Sequence, residues 1–506
     1  VGLPLMRTAE EIAGLSSWHA DWSGLRVAVL GLGVTGFAVA DTLAELGAEL
    51  LVLANRADEE TADLLGVIGV PLALDGLDEA FDAFAPELVV VSPGFAPHHP
   101  LVERATSRGI AVWGDVELAW RLRDKTVRVA EWIAVTGTNG KTTTVQLATA
   151  MIAASGKRVV ACGNVGVPVL DAVRDPIGFD VLVVELSSFQ LHYLDSMSAW
   201  ASVCLNVAED HLDWHGSAEA YREAKAKVYE RTITACVYNI EDEATRTMVE
   251  QAEVVDGCRA IGFGLGLPGP SDLGVVDRIV VDRAFLDDRH RSAIELTSVD
   301  ELEVVGLGSP HMVANVLAAS ALARSLGVAP GVIRLALRAF RLDHHRTETV
   351  AEADGIRWVD DSKATNPHAA AASLEAFDSV VWVVGGLLKG VDVNALVAAN
   401  APRLRAAVVI GSDRSAVVDA FARHAPETPL FEVDTTDTKE VMPTVVRLSA
   451  AVARSGDTVL LAPAAASMDQ FTDYADRGNR FATAVHEMLG GRADDDEPPA
   501  TPRNEL

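Results

Sequence analysis

The stretch Trp132-Ile-Ala-Val-Thr-Gly-Thr-Asn-Gly-Lys-Thr-Thr143 decides how this chain is read. Its apolar start, Trp132 to Val135, has strand character and passes through a glycine turn into residues 144–154, which read as a helix. Between a strand and a helix, such a turn lets backbone N–H groups converge on phosphate oxygens while the helix adds the positive end of its dipole. Lys141 is placed to reach the outer phosphates and Thr142 to face a magnesium ion, so the segment points to ATP. One position departs from the G-x-x-x-x-G-K-[ST] spacing: Val135 stands where the first glycine belongs, and Gly137 is the nearer one.

Upstream, the run Arg26 to Leu30 leads into Gly31-Leu-Gly-Val-Thr-Gly36, a helical stretch and a second apolar run, Glu49 to Leu53, which is a β-α-β opening. Runs at 87–91 and 109–113 continue the alternation and place a first domain within residues 1–114. A nicotinamide site asks for an acidic residue at the end of the second strand, where this chain has Ala54-Asn55-Arg56. NAD is therefore disfavoured. Either the glycines make a packed turn or they meet the diphosphate of another nucleotide.

Downstream, runs at 159–161 and 181–184 alternate with helical segments, and residues 261–305 break into short alternating pieces that read as a small antiparallel addition. A second domain over 115–342 follows. Runs at 380–384, 406–410 and 458–461 define a third over 343–506, with a disordered tail expected from about 491, where Asp, Glu and Pro replace apolar periodicity. The fold class is α/β, with three consecutive domains.

The formal charge of -30 opposes attraction to nucleic acid. No apolar run approaches the roughly 20 residues of a membrane span. The first residues lack a secretory pattern, so a cytoplasmic protein is expected. Four scattered cysteines without C-x-x-C spacing fit a reduced compartment better than disulfides or zinc.

Three further clusters carry chemistry. Glu185 ends the apolar run Val181 to Val184, where a carboxylate can hold magnesium, and Leu-Ser187-Ser-Phe-Gln190 follows. Asn206-Val-Ala-Glu-Asp-His211 gathers possible metal or phosphate contacts, whereas Tyr221-Arg-Glu-Ala-Lys-Ala-Lys227 reads from spacing alone as a solvated helix face. In the third domain Asp343-His-His-Arg346, Asp360-Asp-Ser-Lys-Ala-Thr-Asn366, Gly385-Gly-Leu-Leu-Lys-Gly390 and Pro463-Ala-Ala-Ala-Ser-Met-Asp469 supply polar loops, the last three after apolar runs at one sheet edge, the arrangement of a substrate site.

Taken in order, these loops resemble the ATP-dependent Mur ligases of peptidoglycan synthesis over nearly the whole chain. Gly137-Thr-Asn-Gly-Lys-Thr142 is common to the wider superfamily, folylpolyglutamate synthetases included. Glu185-Leu-Ser-Ser-Phe-Gln-Leu191, Asp361-Ser-Lys-Ala-Thr-Asn366, Asp469-Gln-Phe471 and Arg477-Gly-Asn479 look like the members that add D-glutamate.

The resemblance implies Rossmann-like N-terminal and C-terminal domains flanking a central P-loop-type ATPase domain. It implies ligation of D-glutamate to UDP-N-acetylmuramoyl-L-alanine through an acyl phosphate. By similarity Val34, Thr35, Asn55, Arg56 and Gly94 would hold the uridine diphosphate, with Asn164, Ser187 and Gln190 on the muramoyl portion. Gly137, Thr138, Asn139, Gly140, Lys141, Thr142, Thr143, Asn315, Arg346 and Asp361 would bind ATP. Lys363, Thr365, Lys389, Ser467 and Tyr474 would serve the amino acid end of the site. Thr142, Glu185, His211 and Lys225 would serve two magnesium ions, with Lys225 carbamylated, and Lys141, Glu185, His211 and Lys225 would be catalytic. A monomer acting on small molecules, with neither nucleic acid nor membrane as partner, is implied. Ala54, Leu388 and Tyr474 depart from residues usual in the family. The alternatives are another amide ligase such as a folylpolyglutamate synthetase, a nucleotide-dependent dehydrogenase, or a nucleotide sensor without catalysis.

Overall fold

β-branched runs collect into three sheets, each flanked by helices. The computed structural model describes residues 7–341, 345, 347–388, 390–435 and 437–495. The first sheet contains β1 (Arg26–Leu30), β2 (Glu49–Leu53), β3 (Leu72–Ala73), β4 (Leu88–Val91) and β5 (Ala111–Gly114), all parallel in the order β3-β2-β1-β4-β5. The chain reverses direction across the sheet after β3, so the ends of β1, β2 and β4 flank the switch point where open α/β sheets bind ligands.

The second sheet runs β14-β13-β12-β11-β10-β9-β6-β8-β7. Its strands are β6 (Glu131–Thr136), β7 (Val159–Gly163), β8 (Val181–Glu185), β9 (Ala201–Cys204), β10 (Ala235–Asn239), β11 (Arg259–Phe263), β12 (Asp272–Val276), β13 (Ile279–Asp282) and β14 (Ile294–Ser298). β6 to β12 pair in parallel, and Ile133, Ala134, Val135, Val183 and Val184 are fully buried, as strands covered on both faces must be. The antiparallel addition expected over 261–305 is real, but it continues this sheet. β12 and β13 form a hairpin whose two turn residues, Asp277 and Arg278, have φ of 48° and 64°, the left-handed pair of a tight two-residue turn.

The third sheet, β15-β16-β20-β17-β18-β19, comprises β15 (Glu348–Ala353), β16 (Ile356–Asp360), β17 (Val380–Gly385), β18 (Leu404–Ile410), β19 (Leu430–Glu432) and β20 (Thr458–Leu461), with only β15 antiparallel. The final helix, Tyr474–Asp495, carries Gly478 as its fifth residue, at the start of the second turn. A Cβ there would come within 2.2 Å of His345 Nδ1 and 2.5 Å of Asp360 Oδ2, two atoms that are themselves 2.6 Å apart. This helix occupies residues 491–495, where the tail was expected to begin, and residues 496–506 lie outside those described.

Three sheets fall into two compact units, one ending at Phe340 and one beginning at Arg341. The first two sheets share one apolar cluster running from Ile12 through Trp132 to Met248. Buried polar bridges reinforce it. Glu117, on the helix after β5, accepts Ser196 Oγ at 2.6 Å, the backbone N–H groups of Asp195 and Ser196 at 2.9 Å, and Arg121 Nε at 2.6 Å. At the surface, Arg174 joins Glu45 at 2.9 Å. No helix among the described residues is long and apolar enough to cross a membrane.

Candidate active site

The phosphate loop begins where β6 ends, and the segment after β9 braces it. Thr138 N donates to Asn206 O at 3.0 Å and Asn139 N to Asn206 Oδ1 at 2.9 Å, while Asn206 Nδ2 returns a bond to Asn139 O at 3.1 Å. Thr138 Oγ1 accepts Ala208 N and lies 2.9 Å from the Tyr221 hydroxyl. The helix Lys141–Ala154 then starts with Thr142 and Thr143 buried in its first turn. Asn315 packs so closely on the loop that a Cβ at Gly140 would lie 2.4 Å from its Oδ1.

Lys141 Nζ donates to Gly137 O and Thr138 O, both at 2.8 Å. Lys225 Nζ donates to the same Gly137 O at 2.9 Å. Two cationic side chains thus converge on one carbonyl oxygen. Burial, followed by the neighbouring Lys141 charge, pulls the Lys225 ammonium from 10.5 down to about 7. The solvated-face reading of this helix is wrong for Lys225, which is 1% exposed. Tyr221, Ala224, Lys225 and Val228 are buried at the i, i+3, i+4, i+7 spacing of a core face, so the lysine sits in an apolar stripe rather than opposite it.

Glu185 closes β8 at 1% exposure. Its Oε1 accepts Asn164 Nδ2 at 3.0 Å, whereas Oε2 is buried without a hydrogen-bond partner among the described residues. An orphaned carboxylate oxygen is costly in protein alone and suited to a hard cation, so the residues present fit magnesium. Two residues on, Ser187 caps the helix Ser188–His192 through a reciprocal pair with Gln190. Gln190 Oε1 faces Ser187 N at 3.1 Å and its Nε2 donates to Asp115 Oδ2 at 3.2 Å, which fixes the orientation of the amide. Burial raises the Asp115 carboxyl to about 6.

His211 has a left-handed backbone, φ 53°, and its ring packs edge-on to Phe189 at 4.6 Å. Its Nε2 lies 3.6 Å from Asp210 Oδ2. His215 Nε2 is 3.0 Å from Ser188 Oγ, and burial, then the charges of His192, His211 and Lys225, lower its pKa to about 4, leaving it neutral near pH 7. One side of unit one therefore gathers Lys141, Thr142, Glu185, Gln190, His211 and Lys225 around the ends of β6, β8 and β9. Sequence reasoning overlooked Asp115 and His215. A residue directly after β5 and a histidine within an aromatic-rich turn were the available signals.

In the first sheet Asn55, Arg56 and Gly94 are exposed, Val34 is 77% exposed and Thr35 half-buried, after the ends of β1, β2 and β4. Gly36 is explained by packing, since a Cβ there would meet Gly31 O at 2.0 Å; Gly33 faces open space.

In the unit beginning at Arg341, Asp361 is buried and accepts Thr347 N at 3.2 Å and the Ser373 hydroxyl. Lys363 Nζ lies 3.7 Å from the centroid of the Tyr474 ring, and Thr365 N donates to Lys363 O at 2.8 Å. Ser467, buried in the loop after β20, accepts the Phe471 N–H at 2.9 Å through its carbonyl. β16 and β20 are adjacent and parallel, so their following loops share an edge. Arg477, fully buried, ties those loops together by donating to Ser362 Oγ and O at 2.9 Å and to Ala465 O at 3.1 Å. Its sequence motif was visible, but this bridging role was not. Arg346 and Lys389 lie outside the described residues.

Family models match three segments: the Mur ligase MurD-like N-terminal domain over residues 25–114, the Mur ligase middle domain over 135–323, and the Mur ligase glutamate ligase domain over 345–465. The chain belongs to the Mur ligase family. This Mur ligase is 64% identical to a protein of Leifsonia xyli subsp. xyli named UDP-N-acetylmuramoylalanine--D-glutamate ligase, over 96% of this chain and 97% of that one. A Streptomyces coelicolor protein of the same name is 51% identical, over 93% of this chain and 99% of the relative. Among solved structures, the UDP-N-acetylmuramate-alanine ligase MurC of Thermotoga maritima superposes with a TM-score of 0.55 at 20% identity, covering 92% of this chain and all of that one. A pseudomurein peptide ligase type C from Methanothermus fervidus gives 0.55 at 16% identity, with the same coverage. These two show the shared fold.

Proposed function

We propose that this Mur ligase joins D-glutamate to UDP-N-acetylmuramoyl-L-alanine at the expense of ATP, in peptidoglycan precursor synthesis. The convergence of Lys141 and Lys225 on Gly137 O, beside the unpartnered Glu185 Oε2, carries the reading for the ATP-dependent step. Relatives at 64% and 51% identity that bear this activity in their names support the choice of substrates. Neither a folylpolyglutamate synthetase nor a dehydrogenase is favoured beside them.

A carboxylate does not expel oxide near neutral pH, so the terminal carboxylate of the UDP substrate first attacks the γ-phosphorus of ATP. ADP leaves. The acyl phosphate formed has a competent leaving group, and the D-glutamate amine attacks its carbonyl carbon, releasing phosphate and one proton as the amide forms. Lys141 opposes the charge built up when one anion approaches another. Thr142, Glu185 and His211 would hold magnesium, two ions in our reading, which when bound neutralises phosphate charge. Lys225, whose ammonium is drawn down to about 7 so that a neutral fraction exists near pH 7, can add its nitrogen lone pair to carbon dioxide and lose a proton, giving an anionic carbamate able to face a metal ion.

We assign the uridine diphosphate to Val34, Thr35, Asn55, Arg56 and Gly94 in a domain over 1–114, and the muramoyl portion to Asn164, Ser187 and Gln190. In the domain over 115–342 we assign Gly137 to Thr143 and Asn315 to ATP, and in the domain over 343–506 we assign Arg346 and Asp361 to the same ligand. Lys363, Thr365, Lys389, Ser467 and Tyr474 serve D-glutamate. We infer a cytoplasmic monomer, in keeping with four free cysteines. Phosphate release measured with UDP-N-acetylmuramoyl-L-alanine, ATP and a panel of amino acids tests the whole reading. D-glutamate should be required; equal turnover with L-glutamate, or release independent of the UDP substrate, would overturn it.

A further inference from the structure

A polar cavity of about 630 Å3 opens in unit one, lined by Arg259, Phe285, Asp287, Arg289, His290 and Arg324 among others. It lies away from the phosphate loop. Arg259 is the first residue of β11, and the phosphate loop follows the last residue of the parallel strand β6, so the two sites occupy opposite edges of one sheet. Arg324 stands near the C-terminus of the helix Pro310–Ser325, nine residues beyond Asn315, which is about 13 Å along the axis at 1.5 Å per residue.

Cations are scarce in a chain of net charge -30, yet three guanidinium groups converge here. Asp282 takes Arg324 at 2.8 Å. Arg259 donates to Ala284 O at 2.7 Å, and its guanidinium and that of Arg324 lie 5.7 and 5.9 Å from the Phe285 ring centroid. Arg289 has no side-chain hydrogen bond or ion pair among the described residues, and Asp287 is the only carboxylate in the described lining. Two arginines are therefore left without a carboxylate in ion-pair contact. The Arg259 guanidinium is held below its ordinary pKa by burial first and by the Arg289 charge second, as expected when like charges face one cavity.

We propose that this cavity binds a small polyanion bearing phosphate groups, independently of the ATP loop. Planar guanidinium forks match phosphate oxygens in pairs, and the room available exceeds that needed for one phosphate. Such a ligand would supply the negative charge that the protein withholds, and would sit at the far end of the helix that carries Asn315 onto the ATP loop.

Calorimetry with inorganic pyrophosphate in magnesium-free buffer, on the full chain, tests this. Lys141→Ala should retain pyrophosphate binding, and affinity should fall as sodium chloride is raised. Arg289→Glu should lose roughly tenfold or more in affinity, the loss of one charge-assisted hydrogen bond, with basal ligase turnover unchanged. Arg289→Lys, which keeps charge and loses the fork, should fall between. Citrate in place of pyrophosphate distinguishes a carboxylate-bearing ligand: weaker binding than pyrophosphate supports the phosphate assignment, and tighter binding refutes it. Loss of all pyrophosphate binding in Lys141→Ala, or wild-type affinity in Arg289→Glu, would overturn the proposal.

Discussion

Replacing Lys225 by Met should make the protein more stable and inactive at once. Folding moves the Lys225 ammonium from 10.5 to about 7, mainly through burial. At about 1.4 kcal/mol per tenfold change in proton affinity, folding against this group costs about 4–5 kcal/mol below pH 7. The folded pKa is the lower one, so between pH 7 and 10.5 the unfolded chain binds the extra proton and wild-type stability rises with pH. Above 10.5 the cost is gone. Met keeps the stem and removes the charge, giving up the bond to Gly137 O, a contribution of about 1 kcal/mol. The variant should therefore be more stable by about 3 kcal/mol near pH 7 and by little at pH 10. Guanidinium unfolding, in EDTA and buffer stripped of carbon dioxide, measures the difference directly. Adding bicarbonate should shift the wild-type curve and leave the variant's alone, because only the lysine can form a carbamate. Lys225→Arg should not restore activity despite its positive charge. A variant less stable than wild type at pH 7 with an unchanged pH slope would refute the buried-cation argument, and a fully active Arg variant would refute the carbamate.

Lys141→Ala should abolish turnover while leaving the affinity for the UDP substrate nearly intact, as calorimetry can establish, because Lys141 serves phosphates of ATP. Lys389→Ala and Ser467→Ala should raise the KM for D-glutamate by roughly tenfold with little change in that for ATP; steady-state kinetics with each substrate varied would expose an ATP-only defect. Glu117→Ala should destabilise unit one by about 3–5 kcal/mol, since the buried Arg121 keeps its bonds to Ala13 O and Leu15 O but loses its carboxylate, and two backbone N–H groups lose their acceptor. Denaturant unfolding should show that loss even if Lys141 chemistry is unaffected.

Strand ends and the loops after them were legible because each lies within a few residues of an apolar run. The phosphate loop, Glu185, and the Gly31 to Gly36 turn are local patterns of this kind. Spacing alone puts Lys225 on the outer face because a charge suggests solvent; Tyr221, Ala224 and Val228 carry the correction, since the buried face they define includes position 225. Longer-range pairings left no such trace. Gln190 and Asp115 are 75 residues apart, and Arg477 and Ser362 are 115 apart. Likewise the union of the first two sheets in one unit rests on buried bridges such as Glu117 to Ser196, which no periodicity announces.

Gly478 carries a consequence for how this sequence can drift. Alanine is favoured over glycine inside a helix by about 1 kcal/mol, so an unconstrained position would exchange readily. Here the methyl group would have to displace the hydrogen-bonded pair of His345 and Asp360 from below. A neutral path to a larger residue at 478 therefore passes through loss of a buried pair elsewhere. The three positions form a single heritable unit, to be exchanged together or kept, and only a lineage that altered both His345 and Asp360 would free the helix to take the alanine it otherwise prefers.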